Sequence, residues 1–325
     1  MKKHIYNIAI IGSGQIGSRH LQGLARSSKQ MKIYLIDPNE NALILAKQRF
    51  QEVIHFSHSV ISCHQTIHDL PEKIDIGIIA TTANVRREVV ENILAQHHLK
   101  YLILEKIVFQ NSDDFNLIKK LLIDNGVKSW VYCARRFSLF YKILKSELIH
   151  KKISIKVTGS KWGLACNGIH MIDLFVFLTE QTDIKIDTTG LENIIINSKR
   201  NGFKELKGTL RVKTKRGDTL ELIDSNEFDE SLIISINTDN EKYDIFESKG
   251  LMVKYLSDNE PQEDEIQVEQ VSELTGSIVD QILEKDESDL PTYDECMEYH
   301  IPMLDAFNDH ISKVIGKTIK ICPIT

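Results

Sequence analysis

The sequence predicts a two-part α/β chain, and three observations carry that prediction. Short apolar runs such as Ile8-Ala-Ile-Ile11 alternate with helical stretches over the first third of the chain, the pattern of strand–helix–strand units around a parallel sheet. From residue 190 onward the text becomes a series of strand-like segments separated by turn residues such as Lys215-Arg-Gly-Asp218, which reads as an antiparallel sheet. The 325 residues, 42% of them hydrophobic, suffice for two medium-sized cores.

Taken in order, an apolar strand ending at Ile11 leads into a helix over 15–26 and a second strand over 31–37. A helix follows through residue 50, then a short strand candidate at 53–56 and an irregular, histidine-rich stretch over 57–69. A buried strand over 74–80, a helix to residue 96, a strand over 101–104, a helix over 113–124 and a strand over 127–133 complete the alternation. We place the domain boundary between 126 and 127, giving domains 1–126 and 127–325. The second part opens with a helix over 139–149, a strand over 153–159 and an apolar helix ending near 178. Strands are expected over 191–198, 206–214, 219–224, 232–237, 243–248 and 251–255. The acidic stretch 258–269 reads as a solvated loop, and helices over 271–283 and 293–315 close the chain.

The connection after the first strand is Gly12-Ser13-Gly14-Gln15-Ile16-Gly17. A G-x-G-x-x-G loop between strand and helix is the dinucleotide-binding fingerprint of a Rossmann domain. The first glycine permits the turn, the second lets backbone approach a pyrophosphate, and the third lets helix and strand pack closely. The helix N-terminus offers unpaired N–H groups to that phosphate. Asp37, about 20 residues past Gly17, ends the second strand where a carboxylate accepts hydrogen bonds from an adenosine ribose. Its charge repels a 2′-phosphate, so the expected cofactor is NAD, with NADP as the alternative.

Further candidates each carry two readings. Glu105-Lys106 sits at the carboxyl end of a strand, where open α/β sheets bind ligands. The lysine either protonates or holds a substrate oxygen there, or the pair simply ends the strand in solvent. His170 and Asp173 stand one turn apart on one helix face, so the aspartate can orient the imidazole for proton transfer. In the other reading Asn167 is the helix N-cap and the two are polar contacts of the first turn. Trp162 stacks on a sugar or packs. Arg135-Arg136 presents guanidinium forks to an anion or forms an interdomain salt bridge.

The net charge of -6 argues against a general nucleic-acid binder. Five widely spaced cysteines suit reduced thiols, and no apolar stretch reaches the ~20 residues of a bilayer span. The N-terminus runs directly into the first strand, leaving no room for a signal peptide, so a soluble cytoplasmic protein is expected. His55, His58, His64 and His68 lack the spacing and carboxylate partner of a metal site and read as loop histidines.

Together these landmarks resemble the Gfo/Idh/MocA family of NAD(P)-dependent oxidoreductases along essentially the whole chain. The resemblance is carried by the glycine loop with Arg19-His20, Ala80-Thr-Thr-Ala-Asn84, Glu105-Lys106-Ile107, Arg135-Arg-Phe137 and Gly168-Ile-His-Met-Ile-Asp173. It implies a C-terminal α+β domain for substrate binding and oligomerisation, with a large, open, mostly antiparallel sheet. It also implies that the dinucleotide is held by residues 12–17 and Asp37, by Thr81, Thr82 and Asn84, and by Glu105, Lys106 and Arg136. Lys106 and His170 would be catalytic, and Asn167, Cys166, Asp173 and Trp162 would meet the substrate. Three positions depart from the family pattern. Ile107 and Ala83 stand where prolines are usual, and Cys166 stands where an aspartate often precedes the histidine. The implied reaction is hydride transfer between nicotinamide and a hydroxyl or keto carbon of a sugar-like small molecule, such as a nucleotide sugar or acidic sugar of surface-polysaccharide biosynthesis. The alternative is a catalytically silent dinucleotide-binding regulator or scaffold. A homodimer or homotetramer, with no nucleic-acid or membrane partner, is implied as well.

Overall fold

A strand covered on both faces needs apolar side chains throughout, and β1 (Tyr6–Ile11) meets that demand with Ile8, Ala9 and Ile10 fully buried. The computed structural model describes residues 4–53, 59–229, 231–256 and 260–325. From β1 the chain runs through α1 (Gln15–Leu24), β2 (Met31–Ile36), α2 (Glu40–Gln51), β3 (Val60–His64), β4 (Lys73–Ile79), α3 (Ala83–Gln96), β5 (His98–Leu104), α4 (Ser112–Asp124) and β6 (Lys128–Val131). Next come α5 (Leu139–Leu148), β7 (Ser154–Gly159), α6 (Leu164–Thr179), β8 (Ile184–Leu191), β9 (Ile196–Asn197) and β10 (Lys204–Glu205). The remaining strands are β11 (Gly208–Thr214), β12 (Thr219–Asp224), β13 (Ile233–Asn237), β14 (Glu241–Phe246), β15 (Leu251–Leu256) and β16 (Gln262–Glu265). Helices α7 (Val271–Lys285) and α8 (Tyr293–Ile315) follow.

The first six strands form one parallel sheet in the order β3-β2-β1-β4-β5-β6. Strand order reverses between β1 and β4, so the loops leaving their carboxyl ends diverge and open a crevice there. This is the expected Rossmann architecture. The chain divides into two compact units, but not at residue 126. The first unit comprises 1–109, 113–137 and 269–293, and the second 110–112, 138–268 and 294–325. Two packing facts explain the difference. Strand β6 pairs with β5, Tyr101 opposite Lys128. Helix α7 buries Leu274, Ile278, Val279 and Ile282 in the same core as Ile8, Leu21 and Ile33. It crosses α1 at a pair of glycines, where a Cβ on Gly276 would lie 2.5 Å from Gly23 O.

Strand β3 overturns the irregular reading of 57–69. It is a sheet edge with Val60 67% exposed, so it needs a backbone partner rather than an apolar run, and the sequence pattern is silent. His64 lies on it, its Nδ1 3.7 Å from Asp69 Oδ2. The strand candidate at 53–56 falls on the undescribed 54–58 apart from Val53, as do His55 and His58.

In the second unit an eight-stranded sheet runs β16-β15-β14-β13-β7-β12-β11-β8, antiparallel except for the β7–β12 pair. Alternating burial along β7, β12 and β13 shows one face covered and one open. Two strand readings change. The sheet takes 184–191, whose alternation suits a half-covered strand, in place of 191–198, where Ile194 is 47% exposed and the short β9 pairs only with β10. The acidic 262–265 is the edge strand β16, a composition that discourages further pairing. No helix among the described residues is long and apolar enough to cross a membrane. The α1–α7 crossing gives a test: Gly276→Ala should cost about 1–3 kcal/mol by overpacking. The loss would appear as a lower urea midpoint, and an unchanged midpoint would contradict the close approach.

Candidate nucleotide site and its surroundings

The crevice of the first unit is built from the turn after β1. Gly12 adopts φ +92°, and a Cβ on Gly17 would lie 1.8 Å from Gly12 O, so α1 can begin directly on the loop only because both are glycine. Gly14 differs. A Cβ there meets no described atom within 4 Å, so internal packing does not demand glycine and the bare backbone leaves room for a ligand. Gly14 is also the N-cap of α1 and has no side chain to accept from the first-turn N–H groups, which remain for an anion. The Ser13 and Thr81 hydroxyl oxygens, at the ends of β1 and β4, are buried without a hydrogen-bond partner among the described residues.

Asp37 closes the loop from the β2 side. Its Oδ2 accepts from the Ser13 N–H at 2.7 Å and its Oδ1 from the Asn39 N–H at 2.8 Å. A carboxylate has lone pairs to spare beyond these two bonds, which suits it to ribose hydroxyls as well. Gln15 and Ile16 form the first turn of α1, Thr82 is the N-cap of α3, and Asn84 stands exposed in its first turn. Arg136 is buried in the short 3-10 turn after β6. These donors, orphaned hydroxyls and open backbone fit a dinucleotide.

Glu105 and Lys106 end β5, and the structure gives them different surroundings. The Glu105 carboxylate is turned into the core, where its Oε1 lies 2.9 Å from His20 Nε2 on α1. His20 Nδ1 in turn lies 2.9 Å from Thr275 Oγ1 on α7. The Thr275 hydroxyl donates to Val271 O at 2.9 Å, since a carbonyl can only accept. The same oxygen lies within hydrogen-bond distance of His20 Nδ1 and of the Tyr132 hydroxyl, the latter 3.3 Å away. Burial pushes the Tyr132 phenol well above its ordinary range, which keeps it a donor at neutral pH. Its ring meets the imidazole edge to face at 4.6 Å.

Lys106 is half-buried on a turn whose peptide bond to Ile107 is cis. Beneath that turn lies Arg86, 1% exposed. Its guanidinium donates to Glu105 O at 2.6 Å, to Val108 O at 3.0 Å, and to Ile107 O and Thr81 O. One buried side chain thus fixes the lysine's turn to the loop after β4. Neither Arg86 nor Thr275 was singled out by sequence reasoning. An arginine facing inward from a helix has no sequence mark, and Thr275 stands 170 residues from Glu105 along the chain.

In the second unit α6 starts at Leu164, so Asn167 is not its N-cap. Gly163 fills that position at φ +83°, and Asn167 Nδ2 reaches back to Trp162 O at 2.7 Å. Two carboxylates hold this entrance. Glu205 accepts from the N–H groups of Ala165 at 2.8 Å and Cys166 at 3.0 Å, and Asp224 from those of Lys161 at 2.8 Å and Gly163 at 3.2 Å. The Trp162 indole donates to Ile223 O at 2.9 Å. His170 stands half-exposed one turn beyond Cys166. Asp173 is fully buried, its Oδ1 accepting from the Tyr299 hydroxyl at 2.5 Å on α8.

Cys166 is a thiol rather than a substitute carboxylate. Burial, reinforced by the neighbouring Glu205 carboxyl, pushes it up to about 11. At pH 8 iodoacetamide should therefore label exposed Cys63 in the folded protein and spare Cys166, as read by peptide mass spectrometry. Labelling of Cys166 under those conditions would contradict its placement.

Residues 6–133 match the model of the oxidoreductase family with an NAD-binding Rossmann fold, GFO_IDH_MocA. No curated relative matches the sequence. Solved structures share the fold of nearly the whole chain. UDP-N-acetylglucosamine 3-dehydrogenase GnnA from Acidithiobacillus ferrooxidans is 11% identical, covering 93% of this chain and 97% of its own, with TM-score 0.69. The 3-ketoreductase KijD10 from Actinomadura kijaniata, in complex with NADP, is 12% identical over 93% and 96%, with TM-score 0.70. A super-repressor mutant of Gal80p from Saccharomyces cerevisiae is 16% identical over 98% of each chain, with TM-score 0.69. At such identities the likeness speaks to fold. The family match is confined to the N-terminal part: residues 6–133 carry the NAD-binding Rossmann fold of the Gfo/Idh/MocA oxidoreductase family.

Proposed function

We propose that the protein is an NAD-dependent oxidoreductase acting on a hydroxyl or keto carbon of a sugar or sugar derivative. One observation carries the reading. Lys106 stands at the carboxyl end of β5, on a turn clamped by Arg86 to the same β4 loop that presents Thr81 to the nucleotide crevice. A lysine merely ending a strand in solvent has no need of such a foundation.

The bound dinucleotide supplies a nicotinamide ring that gives or accepts a hydride. The protein's residues do the rest. Asp37 accepts from the adenosine ribose, and Ser13, Thr81 and the first turn of α1 donate to the pyrophosphate. Thr82, Asn84 and Arg136 add polar contacts to the same cofactor. The Lys106 ammonium polarises the reacting oxygen and exchanges a proton with it. His170 is the second acid/base group, on a helix whose first turn Glu205 and Asp224 hold in place, with Asn167, Trp162 and Cys166 as polar and stacking neighbours for substrate. A nucleotide sugar or acidic sugar of surface-polysaccharide synthesis suits this set, and a sugar nucleotide dehydrogenase and a ketoreductase share the fold. The open face of the eight-stranded sheet is where we place the contact of a homodimer or homotetramer, in a cytoplasmic protein.

A second reading, a silent dinucleotide-binding regulator, draws on Cys166, a neutral thiol where the family often carries a carboxylate. The two readings separate on Lys106→Ala, assayed with NAD and a panel of sugars and nucleotide sugars. The enzyme reading expects turnover to fall about 10²–10⁴-fold with dinucleotide binding kept. Equal turnover in variant and wild type, or none in either, would sink it. In the same assay Asp37→Asn should narrow the preference for NAD over NADP by about tenfold, since one repulsive charge is worth on the order of 1 kcal/mol near a surface.

A further inference from the structure

We propose that Thr275 and His20 are positioning residues for Lys106: a buried relay, Thr275–His20–Glu105, anchors the turn that carries the lysine. The inference rests on the catalytic reading of Lys106 given above, and its structural half stands apart from it.

Each step is a contact between fully or nearly fully buried groups. His20 and Thr275 are 0% exposed and Glu105 6%. The imidazole uses both ring nitrogens, one toward Thr275 Oγ1 and one toward Glu105 Oε1, each at 2.9 Å. An imidazole bonded at both nitrogens cannot rotate, so Glu105 is held at a fixed height above α1. The Tyr132 ring, edge to face with the imidazole at 4.6 Å, closes the side of the relay. Glu105 is the residue before Lys106, and Arg86 pins the carbonyls on either side of the lysine. The backbone of the turn is thus fixed from below by Arg86 and through a side chain by His20.

The relay also accounts for the tight α1–α7 crossing. A Cβ on Gly23 would lie 2.7 Å from Thr275 Cβ, and one on Gly276 would lie 2.5 Å from Gly23 O. Only glycine at both positions brings the helices close enough for a side chain as short as threonine to reach the imidazole. Leucine, isoleucine and valine elsewhere on α7 supply its burial. The hydroxyl at 275 is the feature that burial alone does not call for.

The test compares two variants of the full-length protein. Thr275→Val keeps the shape and removes the hydroxyl, whereas Thr275→Ser keeps the hydroxyl. With NAD and a turned-over sugar, Thr275→Val is expected to lower kcat about tenfold, the scale of a small misplacement at a reacting centre, while KM for NAD changes less than about twofold. Thr275→Ser is expected to recover most of the lost kcat. Hydrogen–deuterium exchange of peptides spanning 103–109 gives a readout that needs no turnover: faster in Thr275→Val, unchanged in Thr275→Ser. Unchanged exchange in a folded Thr275→Val protein overturns the relay. A kcat equal to that of wild type in a preparation where Lys106→Ala is inactive overturns it as well. Faster exchange in Thr275→Val together with full turnover by Lys106→Ala supports the relay and strikes instead at the catalytic reading of Lys106.

Discussion

The nucleotide-binding end depends on one close approach. α1 rests on the loop that precedes it because Gly17 carries no side chain, and a Cβ there would overlap Gly12 O. That contact sets the height of the helix over the sheet. His20 lies one turn farther along α1 and points inward, so the same height brings its imidazole level with the end of β5. A glycine usually credited with helix–strand packing therefore also determines which side chains meet at the carboxyl end of a strand two places away in the sheet. Local geometry in the first 20 residues and the placement of Glu105-Lys106 are one constraint.

Both units fix their loops by the same device. Asp37, Glu205 and Asp224 each use the two oxygens of one carboxylate to accept from backbone N–H groups that no strand or helix satisfies. An unpartnered N–H at buried residues such as Ser13, Ala165 and Cys166 costs on the order of 1–3 kcal/mol, so Asp37 and Glu205 in particular define loop conformations that the backbone alone would not hold. Glu205 and the N-terminal turn of α6 also match in charge, a carboxyl facing the positive end of a helix dipole. The side chains on that turn, Cys166, Asn167 and His170, inherit their directions from it.

Much of this was legible in the sequence, and the gaps have physical causes. Doubly covered strands such as β1, β4 and β5 end in unbroken apolar runs and announced themselves, as did the glycine loop and Asp37. Edge strands did not. β3 and β16 are held by backbone pairing, and polar or acidic side chains reveal nothing of that. β8 was displaced in the reading by the isoleucines at 194–196, since hydrophobicity without alternation does not fix a half-covered strand. At the site, residues that act through short sequence spacing were found, whereas Arg86, Glu205, Tyr299 and Thr275 act across tens to hundreds of residues and leave no local pattern. Asn167 read as a cap because asparagine favours that position, yet a left-handed glycine four residues earlier took it.

The path of the chain adds a consequence for its biosynthesis. α7 belongs to the core of the first unit although it follows the whole eight-stranded sheet in sequence. A ribosome delivers the six strands and the glycine loop of the nucleotide fold before residue 137, but the helix α7 that packs in the same core as Ile8, Leu21 and Ile33 emerges only after 270. Until then the part of that core filled by Leu274, Ile278, Val279 and Ile282 stays open. The first unit therefore cannot finish vectorially as an N-terminal domain normally would. Its completion is deferred until the intervening unit has been made, and with it the hydroxyl that reaches His20.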